Sequence, residues 1–333
     1  METAFALLLL IIVLGLAFEF VNGFHDAANA IATIVATRVL SPTAAVMMAG
    51  VLNFLGAISG TAVATKVGKG IVDPLAVTQV TVISGLLAAI IWDLVTWYYG
   101  LPSSSSHALI FSVVGAGVAT AGWDVIVFGG LSATGLGIIY SPLAGFLLAG
   151  LILIAMFWIF QRTRRRIVNG MFARLQLVSS AYMAFSHGGN DGQKTMGIIA
   201  LALFSYGALG TEFSIPLWVV VAGALSISLG TAAGGWRIIK TMGFSLGELQ
   251  PVHGFAAETA AGTVIEVATR FGVPISTTHA ITGAILGVGS VRRVKGVRWG
   301  IARRIIIGWI LTIPGCFALG YVLNILLTLV LGV

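Results

Sequence analysis

Apolar stretches long enough to cross a bilayer recur along this chain, and they limit its fold more than any other feature. A spanning helix takes about 20 predominantly apolar residues. Residues 3–20, 42–65, 75–99, 140–160 and 215–233 each supply such a run, and 301–333 reads as a pair broken near Pro314. Only 9% of the 333 residues are Asp, Glu, Lys or Arg, against about 25% in a soluble domain, so the chain lacks the polar surface to face water on all sides. The runs are continuous rather than alternating, which argues for helices and against an outer-membrane β-barrel. The first run has no basic segment ahead of it and no small-residue cleavage signal, so it reads as a retained helix and not a signal peptide.

The formal net charge is +7, yet the basic residues are grouped in two short segments. Arg162, Arg164, Arg165, Arg166 and Arg174 form one; Arg292, Arg293, Lys295, Arg298, Arg303 and Arg304 form the other. Clusters of this kind mark the cytoplasmic side of a membrane protein and give no reason to invoke a nucleic-acid partner. The lone cysteine, Cys316, excludes an internal disulfide and a multi-cysteine metal site.

The chain repeats itself. Gly100-Leu-Pro-Ser-Ser-Ser-Ser-His107-Ala108 returns as Gly272-Val-Pro-Ile-Ser-Thr-Thr-His279-Ala280, an offset of 279 − 107 = 172 residues. A second pair, centred on Asp26 and Asp191, is offset by 191 − 26 = 165. One duplication with a small length change explains both, and divides the chain into a first transmembrane repeat (1–160), a basic cytoplasmic linker (161–175) and a second repeat (176–333). Repeats with interrupted apolar segments at matching positions are the sequence mark of secondary transporters. With an odd number of spans in each half, the two halves are inverted relative to each other.

The Gly-x-Pro-x-Ser pattern reads as a re-entrant half-helix: glycine allows the reversal, proline suits the first turn, and hydroxyls satisfy the free amides. A helix N-terminus offers N–H groups and about half a positive charge to an anion. Two of them, bearing Ser104, Ser105, Ser106, Ser276, Thr277 and Thr278, can donate to a tetrahedral oxyanion such as phosphate or sulfate. Asp26 and Asp191 stand beside glycine-rich sequence where a broken backbone is expected, and a carboxylate at membrane depth costs about 3 kcal/mol or more and marks an ion path. Asn29, Asn190 and Gln193 add amide oxygens suited to a hard cation. Bound cations would let a doubly charged anion sit near two carboxylates. Lys194 can balance Asp191 or touch the anion, and Glu258 and Glu266, eight residues apart, share a helix face. His107 and His279 are either proton carriers or hairpin-fixing groups; Asp93 and Glu19 are expected near the interfaces or in ion pairs, and His187 has no assigned role.

Together the segments Asn22-Gly-Phe-His-Asp-Ala-Ala-Asn-Ala30 and Ser186-His-Gly-Gly-Asn-Asp-Gly-Gln-Lys194, with the two Pro-x-Ser-[Ser/Thr]-[Ser/Thr]-His hairpins, resemble the inorganic phosphate transporter (PiT) family over nearly the whole chain. The resemblance implies an all-α integral membrane protein of about twelve transmembrane or re-entrant helical elements in two inverted repeats with helical hairpins. It also implies a homodimer in the cell inner (plasma) membrane that imports phosphate by alternating access. Carried over by position, Ser105, Ser106, Thr277, Thr278, Gln193 and Asn29 bind phosphate. Asp26, Asp191, Asn190, Ser104, Ser276 and His25 bind cations, with Asp26 and Asp191 on sodium. No cofactor is expected beyond the co-transported ions. Many members place Asn before the first motif's Asp, whereas this chain has His25, as do bacterial members that include proton-coupled carriers; sodium is the expected co-ion and the proton, or a metal–phosphate cargo, the alternative.

Three other functions are open to such a sequence. A sulfate carrier would share the architecture, but only phosphate can donate a hydrogen bond to the acceptors at Asp26, Asp191 and Gln193. An intramembrane serine hydrolase would need Ser104 or Ser106 within reach of His107 as its base. A passive anion channel would have to admit anions past two unscreened carboxylates.

Overall fold

The computed structural model describes residues 2–292 and 297–332, so Arg293 and Lys295 of the second basic cluster lie outside the described residues. The described residues form twelve α-helices: α1 (Glu2–Ala36), α2 (Pro42–Ala57), α3 (Ala62–Gly70), α4 (Gln79–Tyr98), α5 (Ser105–Ala121), α6 (Phe128–Ile159), α7 (Arg165–Ser205), α8 (Leu217–Ala233), α9 (Trp236–Lys240), α10 (Pro251–Arg270), α11 (Thr277–Arg292) and α12 (Trp299–Leu331). A short π-helical turn, Thr241–Ser245, extends α9. Four of these, α1, α4, α6 and α12, are each long and apolar enough to cross a membrane. The pairs α2–α3 and α8–α9 also qualify when each is taken as one bent span, with bends of 69° and 58°. Val13, Leu147, Trp158, Leu217, Leu229, Ile310 and Leu329 point outward and exposed, as side chains facing lipid would.

The structure corrects three expectations. Residues 301–333 are not a broken pair: α12 runs through Pro314 without a break, because a helix end at membrane depth would free carbonyls that no water can reach. The linker is also shorter than the composition suggests, since α7 begins at Arg165 and carries Arg166 and Arg174 on its exposed surface. Finally, the backbone is not broken at either Asp motif: Asp26 lies within α1 and Asp191 within α7. The glycines there serve helix packing, as at Gly188, where a Cβ would lie 2.2 Å from the Asn53 carbonyl.

Helices α1 and α7 cross the centre of the molecule antiparallel. Thr37 near the end of α1 bonds Gln176 near the start of α7, Ser180 bonds the Ala30 carbonyl, and Thr195 bonds Glu19. Around this pair the packing repeats with the halves exchanged: α1 packs on α8 and α7 on α2, while the re-entrant α5 lies against α12 and α11 against α6. These contacts require glycine. A Cβ on Gly115 would meet the Phe317 carbonyl at 2.1 Å, and one on Gly283 would meet the Pro142 carbonyl at 2.3 Å. Small residues of this kind let membrane helices approach closely, where packing rather than a hydrophobic force holds them together.

Substituting Gly283→Val should therefore force α11 away from α6 and lower stability by about 1–3 kcal/mol, as overpacking does elsewhere. A melting temperature in detergent unchanged from that of the unsubstituted protein would contradict the close approach.

Candidate functional site

Each re-entrant helix starts deep in the protein. Gly100 and Gly272 turn the chain with φ of 63° and 66°, a left-handed backbone that suits glycine. An extended connector follows, and the helix begins at Ser105 or Thr277. Pro102 and Pro274 thus lie in the connectors, not in the first helical turn. The Pro102 carbonyl accepts a bond from the Trp309 indole of α12 at 2.9 Å. Ser104 and Ser276 are the N-caps: their hydroxyls accept from the His107 and His279 amides at 3.3 and 3.1 Å, so their side chains are already engaged within the hairpins.

The next two hydroxyls of each hairpin face the carboxylates. Thr277 donates to Asp191 at 2.6 Å, Thr278 to Asp26 at 3.3 Å, and Ser106 to Asp191 at 3.4 Å. Ser105 lies 3.4 Å from His25 Nδ1, which is itself 2.6 Å from Asp26 Oδ1. From α1, the Asn29 amide donates to Thr277 and Thr278 at 3.2 and 3.0 Å. Its carbonyl oxygen has no partner. Lys194 donates to Asp191, to Ser106 and to the Ile275 carbonyl, so its three protons are all engaged. None of these side chains is more than 5% exposed.

Ligand atoms of Asp26, Asp191 and His187 lie within 4.8 Å of one another. Two buried carboxylates so close favour a cation between them. His187, without a role at sequence level, places Nε2 3.2 Å from Asp191, while Nδ1 meets Asn53 at 2.7 Å. The signal available was spacing: His187 and Asp191 are i and i+4 on one helix, as are Asn22 and Asp26 in the first copy.

Other expected residues fall elsewhere. Gln193 is turned away from the cluster; it accepts from the Val63 and Ala64 amides and donates to the Gly189 carbonyl, capping α3. Asn190 holds the second connector, donating to Thr269 and the Val273 carbonyl and accepting from the Ile275 amide. The His107 and His279 rings pack on each other with centroids 4.8 Å apart, and His279 also stacks on Trp309. Neither His107 nitrogen has a polar partner, so no Ser106–His107 dyad exists and the hydrolase reading fails. Glu266 pairs with Arg270 near the surface, whereas Glu258 is wholly buried and accepts from Thr33, Gln176 and Ser179. Asp93 and Glu19, expected near the interfaces, are also wholly buried.

Removal of the lysine by Lys194→Met would leave Asp191 short of its main counter-charge. Breaking a buried pair from one side costs about 3–5 kcal/mol. Adding Asp191→Asn to the same chain should restore most of the thermal stability; a double variant as unstable as the single one would disprove the pairing.

With the geometry in place, similarity to known proteins can be weighed. Residues 22–320 match the model of the phosphate transporter family. A probable low-affinity inorganic phosphate transporter of Rhizobium meliloti is 50% identical over 312 residues, covering 93% of each chain. A probable transporter of the same description from Bacillus subtilis is 42% identical, covering 99% of this chain and all of that one. A solved structure of a sodium-dependent phosphate transporter superposes with a TM-score of 0.87 at 25% identity, covering 97% of this chain and 99% of that one. A match spanning both Asp motifs and both hairpins, on a shared fold, makes this multi-pass membrane protein a member of the phosphate transporter family.

Proposed function

We propose that the chain imports inorganic phosphate by symport with sodium, by alternating access between two inverted repeats, as a homodimer in the plasma membrane of its cell. The observation that carries this reading is the convergence of Asp26 and Asp191, with His187, within 4.8 Å where the N-termini of α5 and α11 meet. The carboxylates call for cations and the helix ends for an anion. Each makes the other's binding more favourable, which is coupling in electrostatic terms.

The hydrogen bonds suggest how the ligands enter. Ser106, Thr277 and Thr278 donate to the carboxylates in this structure. Sodium arriving at Asp26 and Asp191 would take over their oxygens and release those hydroxyls, which then turn to phosphate together with the Asn29 amide. Ser105 would join from its place beside His25. In this scheme Gln193, Asn190, Ser104 and Ser276 shape the site without touching the ions. Because every group is buried, ions must be admitted by movement of the surrounding helices and not through a standing pore, which favours a carrier over a channel.

Inversion is supported by the antiparallel course of α1 and α7, the first helices of the two halves. The basic residues at the start of α7 support a cytoplasmic position for that end. A second reading, a divalent metal–phosphate cargo, is favoured by one observation: an imidazole nitrogen of His187 stands among the carboxylate oxygens, a mixed set that suits a transition metal better than sodium.

Proteoliposomes given labelled phosphate should take it up under an inward sodium gradient, and sulfate should not compete. Uptake under a proton gradient alone would overturn sodium coupling; uptake indifferent to any gradient would indicate a channel. Asp26→Asn and Asp191→Asn should each abolish sodium-driven uptake in a folded protein. Thr277→Val should instead weaken phosphate binding by about tenfold, the loss of roughly one charge-assisted hydrogen bond; an unchanged phosphate affinity would remove that hydroxyl from the site.

A further inference from the structure

Two lysines of α3 have counterparts in the second half of the chain. Lys66 and Lys69 stand three residues apart, and Arg237 and Lys240 of α9 repeat that spacing at an offset of 237 − 66 = 171 and 240 − 69 = 171, in keeping with the duplication. Their surroundings repeat as well. A Cβ on Gly272, which turns the second hairpin, would lie 3.2 Å from Lys66 Cγ; one on Gly100, which turns the first, would lie 3.4 Å from the Arg237 carbonyl oxygen. Each half thus sets a pair of cations beside the turn of the other half's hairpin.

The two pairs lie on opposite sides of the ion site. The turn of α3 from Ala64 to Gly68 packs on Gly197, which is 197 − 191 = 6 residues or about 9 Å past Asp191 along α7. Helix α9 and its π-helical turn pack along α1 from the Phe24 carbonyl, at Gly235, to the Ala32 carbonyl, at Gly243. Ala32 is likewise 32 − 26 = 6 residues past Asp26. Because α1 and α7 run antiparallel, these two directions are opposite. Taking the start of α7 as cytoplasmic, as proposed above, Lys66 and Lys69 lie outward of the site and Arg237 and Lys240 inward.

All four side chains are exposed, and among the described residues none is paired with an acid. Lys69 holds its ammonium 5.1 Å from the centre of the Phe213 ring. Arg237 lies over Trp97 and Tyr98 and donates to the Tyr98 carbonyl, just before the Gly100 turn. Charged side chains in membrane segments pair with an opposite charge or face a water-filled cavity, and these have no opposite charge. Topology does not account for the outer pair, because basic residues that set orientation gather on the cytoplasmic side. From each turning glycine an extended connector runs to the N-cap hydroxyl, Gly100 to Ser104 and Gly272 to Ser276, a reach of at most about 14 Å. The cations therefore stand one connector's length from the hydroxyls of the ion site.

We infer that Lys66 with Lys69, and Arg237 with Lys240, are two anion-collecting sites, one on each side of the ion site, where phosphate docks before entering and after leaving. Clustered charge of one sign raises the local concentration of an oppositely charged ligand, and an inverted repeat supplies the same device to both faces. The inference rests on the phosphate-import reading and adds the residues that govern how readily phosphate reaches the site. The ligand is a phosphate oxyanion in free solution; a lipid headgroup carries the same chemistry, and the test separates the two.

Initial rates of phosphate uptake in phosphatidylcholine vesicles holding the protein in one orientation provide that test. Lys66→Gln with Lys69→Gln should raise the half-saturating external phosphate about tenfold, as loss of steering does, and keep the maximal rate. Choline chloride at about 1 M, where charges are screened beyond about 3 Å, should remove the difference, and Lys66→Arg with Lys69→Arg should restore the original value. Lys240→Gln should act on the other face, raising the half-saturating internal phosphate for efflux. Equal half-saturation in the unsubstituted protein and the double glutamine variant, or a rise that salt does not remove, would overturn the inference. So would a rise confined to vesicles containing anionic lipid, which would give the lysines to headgroups. An unsubstituted protein that takes up no phosphate would refute the import reading instead, and Lys66→Cys then tests docking without transport. An impermeant thiol reagent added outside should label it, Cys316 being buried, and phosphate should slow the labelling; labelling indifferent to phosphate would again count against the sites.

Discussion

The environment of Asp191 is the interaction on which the rest of the site depends. A carboxylate at this depth must be surrounded by donors and positive charge, because removing either partner of a buried pair leaves the other without water or counter-charge. Asp191 meets the requirement by recruiting side chains from its own helix and from the hairpins. Lys194 comes from its own helix and carries the network to Ser106 of α5 and to the Ile275 carbonyl. Thr277 comes from α11. His187, one helical turn earlier, bonds Asn53 of α2, and Asn53 in turn bonds Thr231 of α8. One acidic side chain thus fixes the relative position of both hairpins and of the helices behind them.

Around this centre the two halves share a scaffold and differ in chemistry. Applying the offsets of the duplication, Glu258, Thr33, Gln176 and Ser179 correspond to Leu86, Ile198, Ile11 and Leu14. A hydrogen-bonded acidic cluster in one half is therefore an apolar contact in the other, where Leu86, Ile198 and Ile11 belong to a single hydrophobic core. Packing needs the shape of the repeat, so the glycines and hairpins recur. The paired aspartates and hairpin hydroxyls recur as well, but the cluster around Glu258 does not.

That division explains what could be read from the sequence. The hairpins were legible because Gly-x-Pro-x-Ser has a local cause: Gly100 and Gly272 do turn the chain, and Ser104 and Ser276 do cap the helices. The same local reasoning starts each helix at Pro102 or Pro274, three residues too early, and takes glycines used for helix packing near Asp191 for a broken backbone. Gln193 and His187 were not legible from the motif alone. Both sit on α7 two or four residues from Asp191, but a helix turns by about 100° per residue, so Gln193 points at α3 while His187 returns to the Asp191 face. Asp93 and Glu19 read as interfacial or paired because an acid inside an apolar run usually is one or the other. Their burial depends on which helices lie opposite, and no local pattern encodes that.

The close helix contacts also bear on how such a molecule could open. Each hairpin helix is pressed against a long helix of the other half through glycine: Gly115 and Gly320 join α5 to α12, and Gly145 and Gly283 join α11 to α6. By contrast, the hairpins touch α1 and α7 chiefly through hydroxyls, amides and carboxylates around Asp26 and Asp191. Backbone-to-backbone packing has no second arrangement within reach, whereas a hydroxyl can exchange one acceptor for another with little change in energy. The glycine contacts thus tie each hairpin to its long partner helix, and the seam around Asp26 and Asp191 is held by exchangeable hydrogen bonds.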